Sequence, residues 1–302
     1  MRFRRYSVQM DFTGVTRKRA AEILGEHFQK EYEYRGESES YAVTDRVGRE
    51  WVICKADNVE AERFLNGRTV RANFMYQDRL VTPFLYRNDL IHFKAVLEKL
   101  NIGGAVVNDS AKTKILLDIA GMENKHNYTE NLQSVELSKG KLLRKVLNEN
   151  FESLADFSSM EEGIVGFPIY KSTLNFSELE GNIQLAEGIS GYAENTKRIS
   201  GNENTSANEK FVMRTWLVRI GMVGEEYRAT RKQFTKELRG NSAWLRKIEV
   251  EEMADTTIEM QSENGTMETP VETEYLEQGK PSTEHEPDTE DEEMTDAMEM
   301  MC

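Results

Sequence analysis

Two polar side chains near the N-terminus, Gln9 and Asp11, are the first in the chain that could take part in chemistry. They alternate with apolar residues in the segment Tyr6-Ser-Val-Gln-Met-Asp-Phe12. Such alternation predicts a strand with one face in the core and the other face open. We therefore expect the Gln9 amide and the Asp11 carboxylate to face away from the core, where their oxygens can accept hydrogen bonds.

Other groups with chemical potential are scattered. His27, His92 and His126 lie on or beside predicted helices and are far apart in sequence, which favours structural roles over a metal site. The basic run Arg17-Lys18-Arg19 could touch nucleic acid, but no nucleic-acid-binding motif or interleaved aromatic accompanies it. The run is more typical of a solvated helix start, so we predict no specific nucleic-acid binding. The sequence contains no Walker-type loop, nucleophile elbow or Cys pair motif.

The elements around Gln9 and Asp11 follow from local signals. Thr13-Gly14 ends the first strand, Thr16 can cap a helix, and apolar residues recur at helical spacing up to Phe28. A hairpin is predicted over Tyr41–Ile53, with its turn at Asp45–Gly48. A helix is then predicted from about residue 88 to residue 100, with an apolar stripe of Leu90, Ile91, Phe93, Val96, Leu97 and Leu100.

The second half of the chain continues the mixture of helix and strand. Short strands are predicted around 105–108 and 113–119, and a helical pattern from 128 to 160 with a buried row of Leu142, Leu143, Val146 and Leu147. Residues 163–170 are β-like, and Pro168 would confine them to a sheet edge or a strand end. A helix is predicted through Leu179, Ile183, Ala186 and Ile189, and a packed pair of helices over 209–227. The pattern indicates an α+β protein without regular β–α alternation.

The net charge of −14 divides unevenly along the chain. Residues 249–302 hold 19 acids and one base, Lys280, whereas residues 1–248 hold 34 acids and 38 bases. We therefore predict a nearly neutral domain over 1–248 and a disordered acidic tail over 249–302. The tail could aid solubility, or it could dock on a basic protein partner.

Cysteine content and hydropathy suggest the cellular setting. The two cysteines, Cys54 and Cys302, give no disulfide framework or metal cluster. No apolar run approaches the length of a membrane span, and the basic N-terminus has no apolar segment of the signal-peptide type. We expect a cytoplasmic protein without a membrane partner.

Several of these segments together resemble the amidoligase family, whose members have the glutamine synthetase-like carboxylate–amine ligase fold. The resemblance is strongest in Tyr6–Phe28, where relatives read roughly Gly-Ile-Glu-Ile-Glu-Phe-Thr-Gly-Ile-Thr-Arg before a helix with Ala-Ala-Glu. It continues through the Asp-x-x-Gly-Arg turn, at residues 76–83, in Lys171–Asn175, and in 209–227 with its Arg-Thr-Trp-Leu-Val-Arg core. The resemblance covers roughly residues 3–246.

The resemblance implies a curved, antiparallel-rich sheet with helices on its outer face. It also implies a reaction in which ATP converts a carboxylate to an acyl phosphate that an amine then attacks. ATP and Mg²⁺ would be the cofactors, with Mg²⁺ held by acids and histidines on strands facing one cleft.

The positions that carry this chemistry in relatives hold other residues here. The two glutamates of the first strand fall on Gln9 and Asp11, and a third falls on Arg79. The family's histidine pair falls on Lys114 and Leu116, and its Glu-Phe-Arg falls on residues 166–168, which begin with Gly166 and end with Pro168. A family Asp falls on Ala56, beside Asp57, whereas Asp118 is retained.

Charge arithmetic then separates the hypotheses. Positions 9, 11, 79 and 166 would carry about −4 in relatives and carry zero here, while Lys114 adds a positive charge. The favoured hypothesis is a degenerate pseudoenzyme with a binding or regulatory role. The alternatives are an active ligase whose metal ligands are Asp11, Asp57 and Asp118, or a metal-free phosphate-binding or nucleotide-binding module that uses Arg79 and Lys114.

Overall fold

A seven-stranded antiparallel sheet dominates the computed structural model, which describes residues 4–203 and 207–241. The strands of these residues are β1 (Tyr6–Phe12), β2 (Tyr32–Arg35), β3 (Ser40–Thr44), β4 (Glu50–Lys55), β5 (Glu62–Leu65), β6 (Arg68–Arg71), β7 (Asp78–Val81), β8 (Lys112–Asp118) and β9 (Ile164–Lys171). The sheet order is β2-β3-β4-β7-β1-β8-β9, and β5 and β6 form a separate hairpin. Strand β1 therefore lies inside the sheet, between β7 and β8.

The helices join one face of this sheet in a continuous core. They are α1 (Arg17–Phe28), α2 (Leu90–Ile102), α3 (Lys125–Leu147), α4 (Phe176–Asn195), α5 (Glu209–Arg219) and α6 (Arg228–Gln233). From β1, Val8, Met10 and Phe12 contribute fully buried side chains to this core. Each such burial contributes about 1.5–3 kcal/mol. The apolar alternation of β1 thus fixes the opposite face as the one that carries Gln9 and Asp11.

The elements that were predicted from alternation, capping and turn residues are confirmed. Strand β1 has the predicted bounds, and the Thr16 side chain accepts a hydrogen bond from the Arg19 N–H at the start of α1. The hairpin of β3 and β4 closes around Asp45, whose carboxylate accepts the N–H groups of Val47 and Arg49. Strand β9 is an edge strand, as Pro168 predicted, and α4 buries its predicted apolar row.

Three predictions about elements are wrong in part. Residues 105–108 form a single bridge between Thr13 and Val106 instead of a strand. The helical pattern from 128 to 160 ends as a helix at Leu147, because Asn148 adopts a left-handed conformation (φ 50°) that caps α3. Of its predicted row only Leu143 is fully buried. Ile91 is 71% exposed and does not belong to the buried stripe of α2.

Two further differences concern the C-terminal half. The segment 209–227 holds one helix, α5, and a short 3-10 turn at Glu225–Tyr227 instead of a helix pair. The predicted acidic tail over 249–302, with its proposed disorder and docking role, lies outside the described residues. Within residues 4–203 and 207–241, every helix is too short or too polar to cross a membrane.

Candidate functional site

The strand register brings the sequence-predicted positions onto one face of the sheet, called here the polar face. Asp11 lies opposite Arg79 of β7, and Gln9 lies opposite Lys114 of β8. Leu116 of β8 lies opposite Gly166 of β9. Four adjacent strands therefore present to one side the residues that stand where relatives carry acids and histidines.

Asp11 and Arg79 form a two-point ion pair across β1 and β7. Arg79 Nε donates to Asp11 Oδ1 at 2.5 Å, and Arg79 Nη2 donates to Asp11 Oδ2 at 3.1 Å. The Asp11 side chain is 2% exposed and the Arg79 side chain 32%. The hydrogen bonds to Asp11 raise the pKa of the Arg79 guanidinium above its ordinary value. Both oxygens of the buried carboxylate are thus taken up by the arginine.

Lys114 forms the second ion pair, with Asp156, and crosses Gly166 to reach it. Asp156 lies in an irregular segment that bridges to Gly166 through both backbone groups. A Cβ on residue 166 would lie 2.4 Å from Lys114 Cε, so a larger residue at this position would push the lysine aside. The hydrogen bond from Lys114, together with the Ser158 N–H, lowers the pKa of Asp156 to about 2.

The three acids considered as metal ligands lie in different settings. Asp118 accepts two hydrogen bonds from Arg5, at 2.9 and 2.5 Å, at the far end of β8. Its N–H donates to the Arg5 carbonyl, which places it six residues along β1 from Asp11. At about 3.4 Å per residue, this separation puts about 20 Å between the Cα atoms of the two acids. Asp57 is 80% exposed and lies 3.6 Å from Lys55.

Among residues 4–203 and 207–241, no three His, Cys, Asp or Glu side chains converge closely enough to hold a metal ion. Asp118 is held ionised by its bonds: burial alone would raise its pKa, but the Ala120 N–H and Arg5 keep it below the ordinary value.

The polar face is close to electrically neutral. Asp11 is matched by Arg79, Asp156 by Lys114, and Gln9 is uncharged. Cys54 of β4 lies opposite Arg79 in register and is half-buried. Burial raises the pKa of its thiol, with Arg79 acting in the opposite direction. The thiol is therefore protonated at neutral pH.

The three histidines at positions 27, 92 and 126 lie away from the polar face. His27 of α1 and His92 of α2 face each other with ring centroids 6.1 Å apart, beside a cavity of about 230 Å³ lined by Trp51, Arg49 and neighbours. Burial, with the nearby Lys99 and His92, lowers the pKa of His27. His126 Nε2 lies 3.2 Å from Glu130 on the surface of α3.

Sequence reasoning missed two members of the polar face. Cys54 could have been placed by extending the alternation of the predicted hairpin by one residue, since Val52 and Cys54 share a face of β4. Asp156 carries no such signal, because it lies in an irregular segment 42 residues from Lys114.

Comparison with known proteins gives one match. The family model described as "Putative amidoligase enzyme" matches residues 3–156, which is about half of the chain. The matched region includes Gln9, Asp11, Arg79 and Lys114 and ends before β9, so the correspondence at 166–168 lies beyond it. No curated protein and no solved structure matches the chain.

Proposed function

The chain belongs to the amidoligase family, and from this premise we propose that it is a pseudoenzyme with a binding role. It descends from ATP-dependent carboxylate–amine ligases but no longer activates a carboxylate with ATP. The proposal includes a glutamine synthetase-like ancestry for the antiparallel sheet, with the polar face corresponding to the former catalytic cleft.

The donor set of the polar face does not fit Mg²⁺-ATP. Magnesium demands hard, mostly charged oxygen ligands in near-octahedral array and binds phosphates through them. The acids of this face, Asp11, Asp118 and Asp156, are each engaged by a cation of the protein, Arg79, Arg5 and Lys114 respectively. A Mg²⁺ ion would have to displace an intramolecular cation, and the freed Arg79 and Lys114 would then repel it.

The observation that carries the proposal is that the replacements are paired. Arg79, at a position where relatives carry a glutamate, bonds the shortened acid Asp11. Lys114, at a position of a family histidine, passes over Gly166, where the resemblance expects a glutamate. In each case a position that serves cation binding in relatives now carries a cation that forms an ion pair within the protein, Arg79 with Asp11 and Lys114 with Asp156. Two matched pairs of this kind support selection for a stable polar face that lacks bound metal.

The two alternatives meet specific obstacles. An anion-binding module built on Arg79 and Lys114 requires phosphate to compete with Asp11 and Asp156, which already form ion pairs with the two cations. An active ligase built on Asp11, Asp57 and Asp118 requires joint action of carboxylates at opposite ends of β1 and β8. Neither alternative gains a supporting contact from the described residues.

Thermal unfolding of the full chain with MgCl₂, with ATP and with both tests the proposal. A ligand at a hundred times its dissociation constant would add about 2.7 kcal/mol to the free energy of unfolding. For a domain of this size each kcal/mol moves the midpoint by about 2–4 °C. We expect no shift with any combination at millimolar concentration.

Two other outcomes would redirect the assignment. A rise of several degrees that needs both ATP and Mg²⁺ would contradict the proposal and support an active ligase. A rise with ATP that is indifferent to Mg²⁺, and that is lost in Arg79→Met and Lys114→Met, would support the anion-binding module.

A further inference from the structure

The hairpin of β5 and β6 extends from the sheet beside the polar face. Its turn, Asn66-Gly67, has positive φ at both residues (50° and 78°), as two-residue hairpins prefer. The base is anchored at Thr13 and Gly14: the Gly14 N–H donates to the Glu62 carbonyl at 3.0 Å, and the Glu62 N–H donates to Thr13 Oγ1 at 2.8 Å. This anchor lies two residues beyond Asp11.

Beyond this base the hairpin is exposed on both faces and rich in arginine. Phe64 is 71% exposed and Leu65 44%. Three arginines, Arg63, Arg68 and Arg71, are exposed, and none of their side chains forms an ion pair or hydrogen bond within residues 4–203 and 207–241. This differs from the polar face, where the cations are paired. Unpaired arginines beside exposed apolar side chains are typical of interaction surfaces.

Cross-strand register arranges these side chains in a pattern. On one face Arg63 lies opposite Val70, and Leu65 lies opposite Arg68, so charged and aliphatic side chains alternate in both directions. Among residues 4–203 and 207–241 the sheet of β5 and β6 contains only these two strands. The outer edge of β6 has no strand partner there, and the outer edge of β5 is occupied at Glu62 by Thr13 and Gly14. An isolated two-stranded hairpin is of marginal stability, and a third strand would stabilise it.

We propose that this hairpin binds an extended segment of a partner protein in which acidic and apolar residues alternate, and that the segment adds as a third strand. Backbone groups of an open strand edge pair readily with an incoming strand. Side chains directly across a strand pair lie about 4.5–5.5 Å apart, which sets carboxylates of the partner against arginines and its apolar residues against Leu65 or Val70. Arginine and carboxylate then form charge-assisted hydrogen bonds.

The small number of arginines and aromatic rings on the hairpin favours a short peptide over nucleic acid. Glu60 and Glu62 lie at the foot of the hairpin, where Asn108 bonds the Glu60 carbonyl and the Glu62 carboxylate. A nucleic-acid strand needs a positive track and several stacking platforms, whereas the hairpin offers three arginines and one exposed aromatic ring, Phe64.

Fluorescence anisotropy with the full chain tests the proposal. The probe is a labelled twelve-residue peptide of alternating Glu and Val. The comparison probes are a block peptide of the same composition, an alternating Lys and Val peptide, and a labelled dT oligonucleotide. The test variant is Arg63→Glu with Arg68→Glu. The matched control is Arg46→Glu, which reverses an exposed arginine in the turn between β3 and β4.

The alternating acidic peptide should bind, and the block and lysine peptides should bind more weakly. Loss of a surface ion pair weakens binding up to about fivefold, and reversal of the charge adds repulsion to that loss. Reversal of two arginines should therefore weaken binding by about 20-fold. The Arg46→Glu control should stay within about twofold of the wild-type chain. Methylation of every second peptide nitrogen can be done in two ways, on the odd or on the even residues. Only one of these two peptides should lose binding, because a strand contact uses every second N–H group.

Four results would overturn the proposal. They are absence of peptide binding at millimolar concentration, equal affinity for the block peptide, an unchanged affinity in the double variant whose circular dichroism is native, and tighter binding of the oligonucleotide. The inference does not depend on whether the polar face binds ATP, so it can fail while the proposed function stands.

Discussion

Removal of Arg79 should destabilise the protein far more than removal of the charge on Asp11. The reason is the unequal burial of the pair: the Asp11 side chain is 2% exposed and the Arg79 side chain 32%. In Arg79→Met the carboxylate of Asp11 remains buried without its cation, whereas in Asp11→Asn the guanidinium can turn to water and still donate to the amide oxygen. Methionine keeps much of the apolar length of the arginine side chain.

The magnitude follows from the cost of leaving a buried charge alone. Breaking a buried ion pair by removing one partner costs about 3–5 kcal/mol. Because Arg79 is about one third exposed, we take the low end, about 3 kcal/mol, for Arg79→Met. Asp11→Asn should cost about 1 kcal/mol. The double variant should also cost about 1 kcal/mol, because it leaves no buried charge.

Urea unfolding of the full chain, followed by tryptophan fluorescence, measures these differences. At about 2–4 °C per kcal/mol, Arg79→Met should also lower the thermal midpoint by about 6–12 °C. Arg5→Met is the matched control, because it breaks a pair with Asp118 in which the arginine is 46% exposed and the aspartate 18%. That control should cost less than about 1 kcal/mol. Equal losses for Arg79→Met and Asp11→Asn, or a double variant worse than Arg79→Met, would refute the reasoning.

Two further predictions concern packing at the polar face and titration on the core side of β7. Gly166→Ala should destabilise the wild-type chain by about 1–2 kcal/mol and should cost less in a Lys114→Ala background, because the new Cβ displaces the lysine; additive losses in a urea double-mutant cycle would show that the two positions are independent. Asp78 is fully buried, and burial raises its pKa to about 9 from an ordinary value of 3.8. Arg17, whose Nη1 lies 3.8 Å from the Asp78 carboxylate, lowers this pKa only in part, because the same Nη1 donates to the carbonyls of Phe74 and Gln77. The folded state therefore keeps a proton that the unfolded state releases, so Asp78 makes stability fall by about 1.4 kcal/mol per pH unit between about pH 5 and 8. Asp78→Asn should remove that slope, and parallel pH profiles of the urea midpoint for the two proteins would contradict it.

Local signals predicted the β1 part of the polar face, Gln9 and Asp11, whereas the family resemblance placed Arg79, Lys114 and Gly166. Strand β1 alternates over seven residues, and Thr16 supplies the cap of α1 within three residues of its partner. The turn at Asp45 is likewise closed by bonds within four residues. Such features depend on short-range geometry, which a single sequence displays.

What the sequence did not predict depends on contacts between distant segments. Asp156 meets Lys114 only because an irregular segment bridges to β9 at Gly166. Arg79 and Gly166 each look like the loss of an acid when considered alone. Only the register of β7, β1, β8 and β9 shows that Arg79 lies beside Asp11 and that Gly166 lies beside Lys114.

The hairpin of β5 and β6 was also missed, for a related reason. Its strands carry few buried apolar residues, so the alternation that identifies a half-buried strand is absent. The Asn66-Gly67 turn is the remaining local signal. A segment whose side chains serve a surface instead of a core gives little hydrophobic pattern to detect.

Equilibrium binding of ATP to the full chain in the presence of Mg²⁺, by isothermal titration calorimetry, tests the central claim most directly. Asp11→Asn serves as the comparison, because it removes the most buried carboxylate of the polar face. Our account predicts no saturable heat with either protein at millimolar nucleotide. A saturable, magnesium-dependent signal that disappears in Asp11→Asn would contradict it and would mean that the polar face still binds the cofactors of its family.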